Sequence, residues 1–182
     1  MKIIETEHPD VVILRPDVFC DDRGFFMETY QKKKFSHLGI DHTFVQDNLS
    51  SSKKWTLRGM HYQVTQVQGK LVRAVRGEVF DVAVDLRQDS PHFGEWIGAT
   101  LTEHNKQALW IPPGFAHGFL ALTERADVLY KTTDYYDKDG ERCIRWDDPT
   151  LAINWPIPED EPPIVSEKDQ SGFAFMDAEV FP

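Results

Sequence analysis

Residues 70–87, KLVRAVRGEVFDVAVDLR, set the pattern for most of the chain. Phe80, Val82, Val84 and Leu86 alternate with Asp81, Ala83 and Asp85. A period of two places successive side chains on opposite faces, so this run predicts a two-faced strand, separated from its predecessor by a turn at Arg76-Gly77-Glu78. Further β-type runs follow in EWIGATLT, QALWIPPG, HGFLALTE and ADVLYKTTDYY, punctuated by Ser90-Pro91, Pro112-Pro113-Gly114 and Lys138-Asp139-Gly140. Many short strands between proline and glycine turns predict a sandwich or barrel. The best helical stretch is YQKKKFSHLG, ending at Gly39, with another turn of helix expected near the C-terminus. The proline-rich PIPEDEPPIVSEKD reads as an irregular segment tied back onto the body.

Composition narrows what such a fold can do. A chain of 182 residues, 41% hydrophobic and 12% aromatic, is expected to form one globular domain over residues 1–182. A net charge of −10 argues against general affinity for nucleic acid or anionic membrane, so an anionic ligand must be gripped by a few specific cations. Cys20 and Cys143 are the only cysteines and form no C-x-x-C pair, so neither a disulfide framework nor a zinc-thiolate site is indicated. With no apolar run near the ~18 residues of a membrane span and no long apolar stretch after Met1, the chain is expected to stay in the cytoplasm.

Two histidine-bearing stretches carry the candidate chemistry. In LRGMHYQ, residues 57–63, regular alternation would turn Leu57, Gly59 and His61 one way and Arg58, Met60 and Tyr62 the other. A bulge or sharp twist at Gly59 would instead bring Arg58 and His61 onto one face, and such irregularities gather at functional sites. The second stretch, IPPGFAHGF, spaces Pro112, Gly114 and His117 as in the later half of the cupin signature, whose members are jelly-roll β-barrels. Metal-binding cupins also need a His-x-His and a glutamate in the first half, because a divalent ion requires three or four convergent ligands. RGMHYQV offers a single histidine, so no metal is expected and the pocket should rely on organic groups.

Taken in order, DDRGFFMETY, FVQDNLS, LRGMHYQ, QGKLVRAVRGEVFDVAVDLR, SPHFGEW, LWIPPGFAHGFLAL, LYKTTDYY and SEKD resemble the dTDP-4-dehydrorhamnose 3,5-epimerase family from about residue 10 to residue 170. The resemblance implies an all-β-dominated, cupin-type jelly-roll barrel with a few short helices. It also implies inversion of C3 and C5 of dTDP-4-dehydro-6-deoxy-D-glucose without cofactor or metal. By that resemblance His61 is the base, Asp169 its partner carboxylate, Lys70 the cation at the enolate oxygen and Tyr130 the acid on the opposite face. Read alone, Lys70 would be an ordinary strand-end lysine and Tyr130 a core aromatic with its hydroxyl at the surface. Arg23, Arg58 and Lys168 match positions that engage the sugar nucleotide, as arginine forks suit diphosphate oxygens. Gln46, Asp47, Asn48, Glu28 and Glu141 match polar positions of that site, His117 another pocket residue, and Phe26 with Tyr135 or Tyr136 the thymine platform. Asp81 would support Lys70 or His117, or be a plain strand-face aspartate. Family members are dimers in which an N-terminal region crosses to the neighbour, so Arg23 and Glu28 are expected in a shared site with the partner chain's His61. Alternatives are an epimerase acting at C3 or C5 alone, and a cupin without this chemistry, either a metal oxygenase or a sugar-binding module.

Overall fold

The computed structural model describes residues 1–182. Its strands are β1 (Lys2–Glu5), β2 (Val12–Arg15), β3 (Val18–Asp21), β4 (Gly24–Met27), β5 (Gln46–Lys53), β6 (Leu57–Gln63), β7 (Lys70–Arg76), β8 (Glu78–Asp85), β9 (Trp96–Thr102), β10 (Ala108–Ile111), β11 (Phe115–Ala121), β12 (Arg125–Thr132) and β13 (Glu141–Cys143). Two short helices, α1 (Lys32–His37) and α2 (Glu167–Gln170), and a 3-10 turn at Phe175–Asp177 complete the fold. β1-β2-β10-β7-β12-β5 form a six-stranded sheet and β13-β6-β11-β8-β9 a five-stranded one, while β3 and β4 stand apart as a hairpin. All strand pairs in the sheets are antiparallel.

The two sheets pack face to face as a jelly-roll barrel. Val72, Leu109 and Val128 of one meet Val79, Ala83, Phe115 and Phe119 of the other. The outer face of the five-stranded sheet is also buried, with Met60, Tyr62, Val82 and Leu120 beneath Leu151, Trp155 and Phe175 from the C-terminal segment. The proline-rich run is tied down as expected, by Leu57 N–H to the Ile164 carbonyl (2.9 Å) and Ile164 N–H to the Trp55 carbonyl (2.8 Å). Phe35 of α1 and Ile40 cover Leu14, Leu71 and Trp110 on the outer face of the six-stranded sheet.

The two faces of β8 are therefore both buried. Phe80, Val82 and Val84 point outward under the C-terminal cover, and the alternate face, carrying Asp81 and Asp85, turns into the barrel with both carboxylates wholly buried. A buried carboxylate is tolerated only when its oxygens are paired. Asp85 accepts from Arg87 Nε (2.9 Å), Arg87 Nη2 (2.8 Å) and Ser90 Oγ (2.6 Å), and lies 3.3 Å from His8 Nε2. Burial opposes its ionisation, but the Arg87 and Ser90 hydrogen bonds outweigh that and hold its pKa down to about 2.

Asp85 is thus a structural charge at the end of the strand. Its ionisation stabilises the fold above the usual aspartate pKa, and that contribution is lost as pH falls towards about 2. Asp85→Ala removes three side-chain hydrogen bonds but leaves Arg87 paired with Asp10 (2.8 Å), and is expected to lower the unfolding free energy by about 2–3 kcal/mol in a urea titration. A change within about 0.5 kcal/mol would show that the cluster is dispensable.

Candidate active site

The bulge read from LRGMHYQ is present and sets the site. His117 of β11 pairs with His61 of β6 and Phe119 with Arg58, so Gly118 alone stands opposite both Gly59 and Met60. The extra residue restores Arg58 and His61 to one face, and both line a cavity of about 570 Å³. Gly59 has φ +115°, and a Cβ there would lie 2.6 Å from both Gly118 Cα and the His117 carbonyl oxygen. Only glycine fits this close approach of two backbones.

His61 Nε2 lies 2.6 Å from Asp169 Oδ1, and Gly59 N–H donates to Asp169 Oδ2 at 3.3 Å. Asp169 sits in α2, where its own N–H donates to the capping Ser166 Oγ (3.2 Å). Burial opposes ionisation of Asp169, but His61, Gly59 and Ser166 together hold its pKa below the usual carboxylate value. An ionised carboxylate only accepts, so Nε2 carries the proton between them, and in the neutral imidazole the lone pair is then on Nδ1.

Lys70, at the start of β7, reaches into the same cavity from the other sheet and donates to the His61 carbonyl (3.2 Å). It is buried, and desolvation pulls its pKa down to about 8 against the opposing fields of Asp81 and Glu141. Of the alternatives for Asp81, the hydrogen bond goes to His117 Nε2 (3.0 Å), and Lys70 feels it only through its field. Tyr130, on β12 of the six-stranded sheet, completes the cavity opposite His61. Burial raises its pKa while Arg58 pulls it down, and the phenol stays protonated at neutral pH.

At the mouth, Glu141 accepts from Tyr136 (2.8 Å) and Lys168 (2.5 Å), and Gln46 donates to Asn48 (2.9 Å) while accepting the Tyr136 N–H (3.0 Å). Arg58 is braced by Ser52 Oγ at 3.0 Å. Gln46, Asn48, Arg58, Tyr136, Glu141 and Lys168 line the cavity, whereas Tyr135 does not. Four expected residues lie elsewhere in this chain. Asp47 alternates with Gln46 and Asn48, so it faces the other way and pairs with Lys131 (2.8 Å). Arg23, 90% exposed, bonds only to Asp21, while Phe26 stands in the open on the projecting hairpin and Glu28 pairs with Lys34 (2.8 Å).

Of the residues that escaped the sequence reading, Ser166 and Cys143 stand nearest the His61–Asp169 pair. Ser166 fits the capping pattern before a short helix, a signal hidden by the length of that helix. Cys143, set aside for lack of a C-x-x-C partner, is the cross-strand neighbour of His61, and its sulfur, the His61 ring nitrogen and an Asp169 oxygen lie within 4.8 Å of one another. Burial pushes its thiol up to about 12.

Residues 5–177 match the family described as dTDP-4-dehydrorhamnose 3,5-epimerase. The dTDP-4-dehydrorhamnose 3,5-epimerase of Pseudomonas aeruginosa is 55% identical over 183 residues, spanning 100% of both chains. That of Escherichia coli K12 is 51% identical over 175 residues, 95% of this chain and 94% of the relative. Among solved structures, the dTDP-6-deoxy-D-glucose-3,5-epimerase of Legionella pneumophila Philadelphia 1, in complex with dTDP-4-keto-L-rhamnose, aligns with a TM-score of 0.94 at 48% identity, covering 98% of this chain and 94% of that one.

The buried Lys70 costs stability. Its folded pKa of about 8 lies below its ordinary 10.5, so the unfolded chain binds more protons between these values and the penalty is complete below about 8. Lys70→Met is therefore expected to raise the unfolding free energy at pH 7 by on the order of 2–3 kcal/mol, with the gain shrinking as pH rises towards 10.5. A destabilised variant in a urea titration would mean that the charge is better compensated than its surroundings indicate.

Proposed function

The chain belongs to the dTDP-4-dehydrorhamnose 3,5-epimerase family, and from that premise we propose that it converts dTDP-4-dehydro-6-deoxy-D-glucose to dTDP-4-dehydro-L-rhamnose in dTDP-L-rhamnose biosynthesis. The C3 and C5 hydrogens both flank the C4 ketone, so loss of either proton gives an enolate with its charge largely on O4. The reaction needs a base, a donor at O4 and an acid on the opposite face, but no redox cofactor and no metal.

The observation that carries this reading is a histidine on one sheet, paired with Asp169 of α2, facing a tyrosine on the other sheet across a single cavity, with a buried lysine beside the base. His61 takes the proton at Nδ1, and Asp169 stabilises the imidazolium that results. Lys70 spends one N–H on the His61 carbonyl and turns the rest of its charge to O4. An oxyanion donor of this kind contributes about 3 kcal/mol. Tyr130 delivers a proton from the far wall, with Arg58 near enough to offset the tyrosinate charge. His117, fixed by Asp81, orients the sugar through hydrogen bonds.

Arg58 and Lys168 serve the diphosphate, and Gln46, Asn48, Tyr136 and Glu141 the nucleoside. The remaining positions come from a second copy of the chain. The β3–β4 hairpin exposes Phe19 (65%), Phe25 (54%) and Phe26 (70%), which supports a docked rather than a solvated hairpin. In the homodimer it carries Arg23, Phe26 and Glu28 into the partner's cavity. No helix is long and apolar enough to cross a membrane. Cys20 and Cys143 are both free thiols, which suits a reducing cytoplasm.

In D2O, His61→Asn is expected to lose about 10²–10⁴-fold of deuterium uptake at both C3 and C5 by NMR, the usual contribution of a general base. Tyr130→Phe should keep more exchange than inversion, because His61 still removes and returns the proton on its own face. Equal losses of exchange and inversion would remove Tyr130 from the acid's role.

Sharing of the site is tested by mixing two inactive variants, Arg23→Ala and His61→Ala, under verified subunit exchange. One pocket of each hybrid dimer then has both residues intact and the other has neither. Half of the dimers are hybrids by statistics, so activity should return to roughly a quarter of wild type for independent sites. No recovery would reject the shared pocket.

A further inference from the structure

The proposed mechanism leaves Cys143 unused, although it stands against the base. We propose that His61, Cys143 and Asp169 form an inhibitory site for a borderline-soft divalent cation of the Zn2+ class. The three side chains come from three elements, β6, β13 and α2, and converge because Cys143 and His61 are direct cross-strand partners while α2 brings Asp169 over both. Their ligand atoms lie within 4.8 Å of one another. Tetrahedral zinc ligands at about 2.0–2.3 Å stand roughly 3.3–3.8 Å apart, so a contraction of about 1 Å closes the site. Thiolate, imidazole and carboxylate are the donor types that such an ion prefers over Mg2+ or Ca2+. Two anionic ligands and a neutral imidazole would cancel the charge of the ion, which suits a largely buried position. Entry is from the cavity, where the His61 side chain is 29% exposed.

The cation replaces the proton between His61 and Asp169. It bonds to Nε2, to an Asp169 oxygen and to the Cys143 sulfur, with water in the fourth position. The thiol proton leaves to solvent, and the imidazole, still neutral, carries its one proton on Nδ1. No group changes oxidation state. Nδ1 is then a donor instead of a base, so the bound ion blocks proton abstraction without touching the substrate. Binding requires only the three ligand atoms, whereas the inhibition rests on His61 being the base proposed above.

The test titrates metal-free wild-type protein with Cd2+, following the ultraviolet thiolate-to-metal charge-transfer band together with turnover. One Cd2+ per chain is expected, with turnover lost in parallel and restored by a chelator. In Cys143→Ser and Cys143→Ala the band should vanish. The Zn2+ concentration for half-inhibition, measured against each variant's own metal-free rate, should rise by at least the roughly 10–100-fold that changes around a metal site typically cost. Cys20→Ser, which alters the exposed thiol, should behave as wild type. Absence of the band in wild type, its survival in both Cys143 variants, or equal inhibition of variants and wild type would each overturn the site. A saturating band with unaffected turnover would overturn the inhibition. If His61→Asn then also exchanged deuterium normally, the failure would lie with His61 as the base and not with the metal site.

Discussion

Asp169 is held at both oxygens by one irregular turn of strand, and the site depends on that pair of contacts. His61 Nε2 meets one oxygen at 2.6 Å and the Gly59 N–H meets the other at 3.3 Å. The bulge that turns His61 into the cavity thus also supplies the donor that locates its carboxylate. The carboxylate in turn selects the imidazole tautomer that leaves Nδ1 free. The bulge exists only because Gly59 and Gly118 let two backbones approach more closely than any Cβ permits. Insert a methyl group at either glycine and the strands must part, carrying His61, Arg58 and Asp169 out of register together. His61, its carboxylate partner Asp169 and Arg58 are consequently one structural unit.

Charge inside the barrel is arranged in two contrasting ways along the same face of β8. Asp85 is saturated by Arg87 and Ser90 and has no hydrogen-bonding capacity left for a ligand. Four residues back, Asp81 is bonded to His117 and acts on Lys70 only through its field. Lys70 has a single hydrogen bond, to the His61 carbonyl, although it is nearly as buried. An ammonium so poorly solvated gains most from an anion that appears nearby. An enolate oxygen would supply that interaction at the moment of reaction, when it is most useful. The stability lost in burying Lys70 and the pull it would exert on an oxyanion in the cavity therefore have one origin.

Much of this was legible in the sequence. Period-two runs and their turns placed most of the strands of the two sheets, and Gly39 marked the end of α1. The glycine between an arginine and a histidine in LRGMHYQ foretold the bulge, because alternation alone would have separated residues that chemistry needed together. Asp47 shows the limit of motif matching. It lies within FVQDNLS, but strand parity turns it away between two residues that face the cavity. Cys143 was illegible for a different reason, since its relation to His61 arises from pairing across 82 residues of sequence and no local pattern records it. The fate of β8 was ambiguous because a two-faced pattern does not say which face meets solvent. Here neither does, since the C-terminal segment covers the apolar side.

A two-sheet barrel suits inversion at carbon for a geometric reason. An epimerase must reach one carbon from both faces of a ring, so its base and acid have to stand on opposite sides of the substrate. Facing sheets pack about 10 Å apart, which leaves room for a sugar ring between inward-pointing side chains only where those side chains are trimmed back or polar. His61 belongs to the five-stranded sheet and Tyr130 to the six-stranded one. Their opposition follows from the architecture and requires no flexible loop to create it. Lys70 lies two strands from β5 on the tyrosine's sheet yet bonds to the backbone of the histidine's strand, bridging the two walls at the level of the base. On the proposed mechanism, the ketone oxygen would sit at the height of this lysine. With O4 at that height, each flanking carbon lies between the two walls, so a modest rotation of the sugar, rather than a second pair of catalytic groups, would present C3 and C5 in turn.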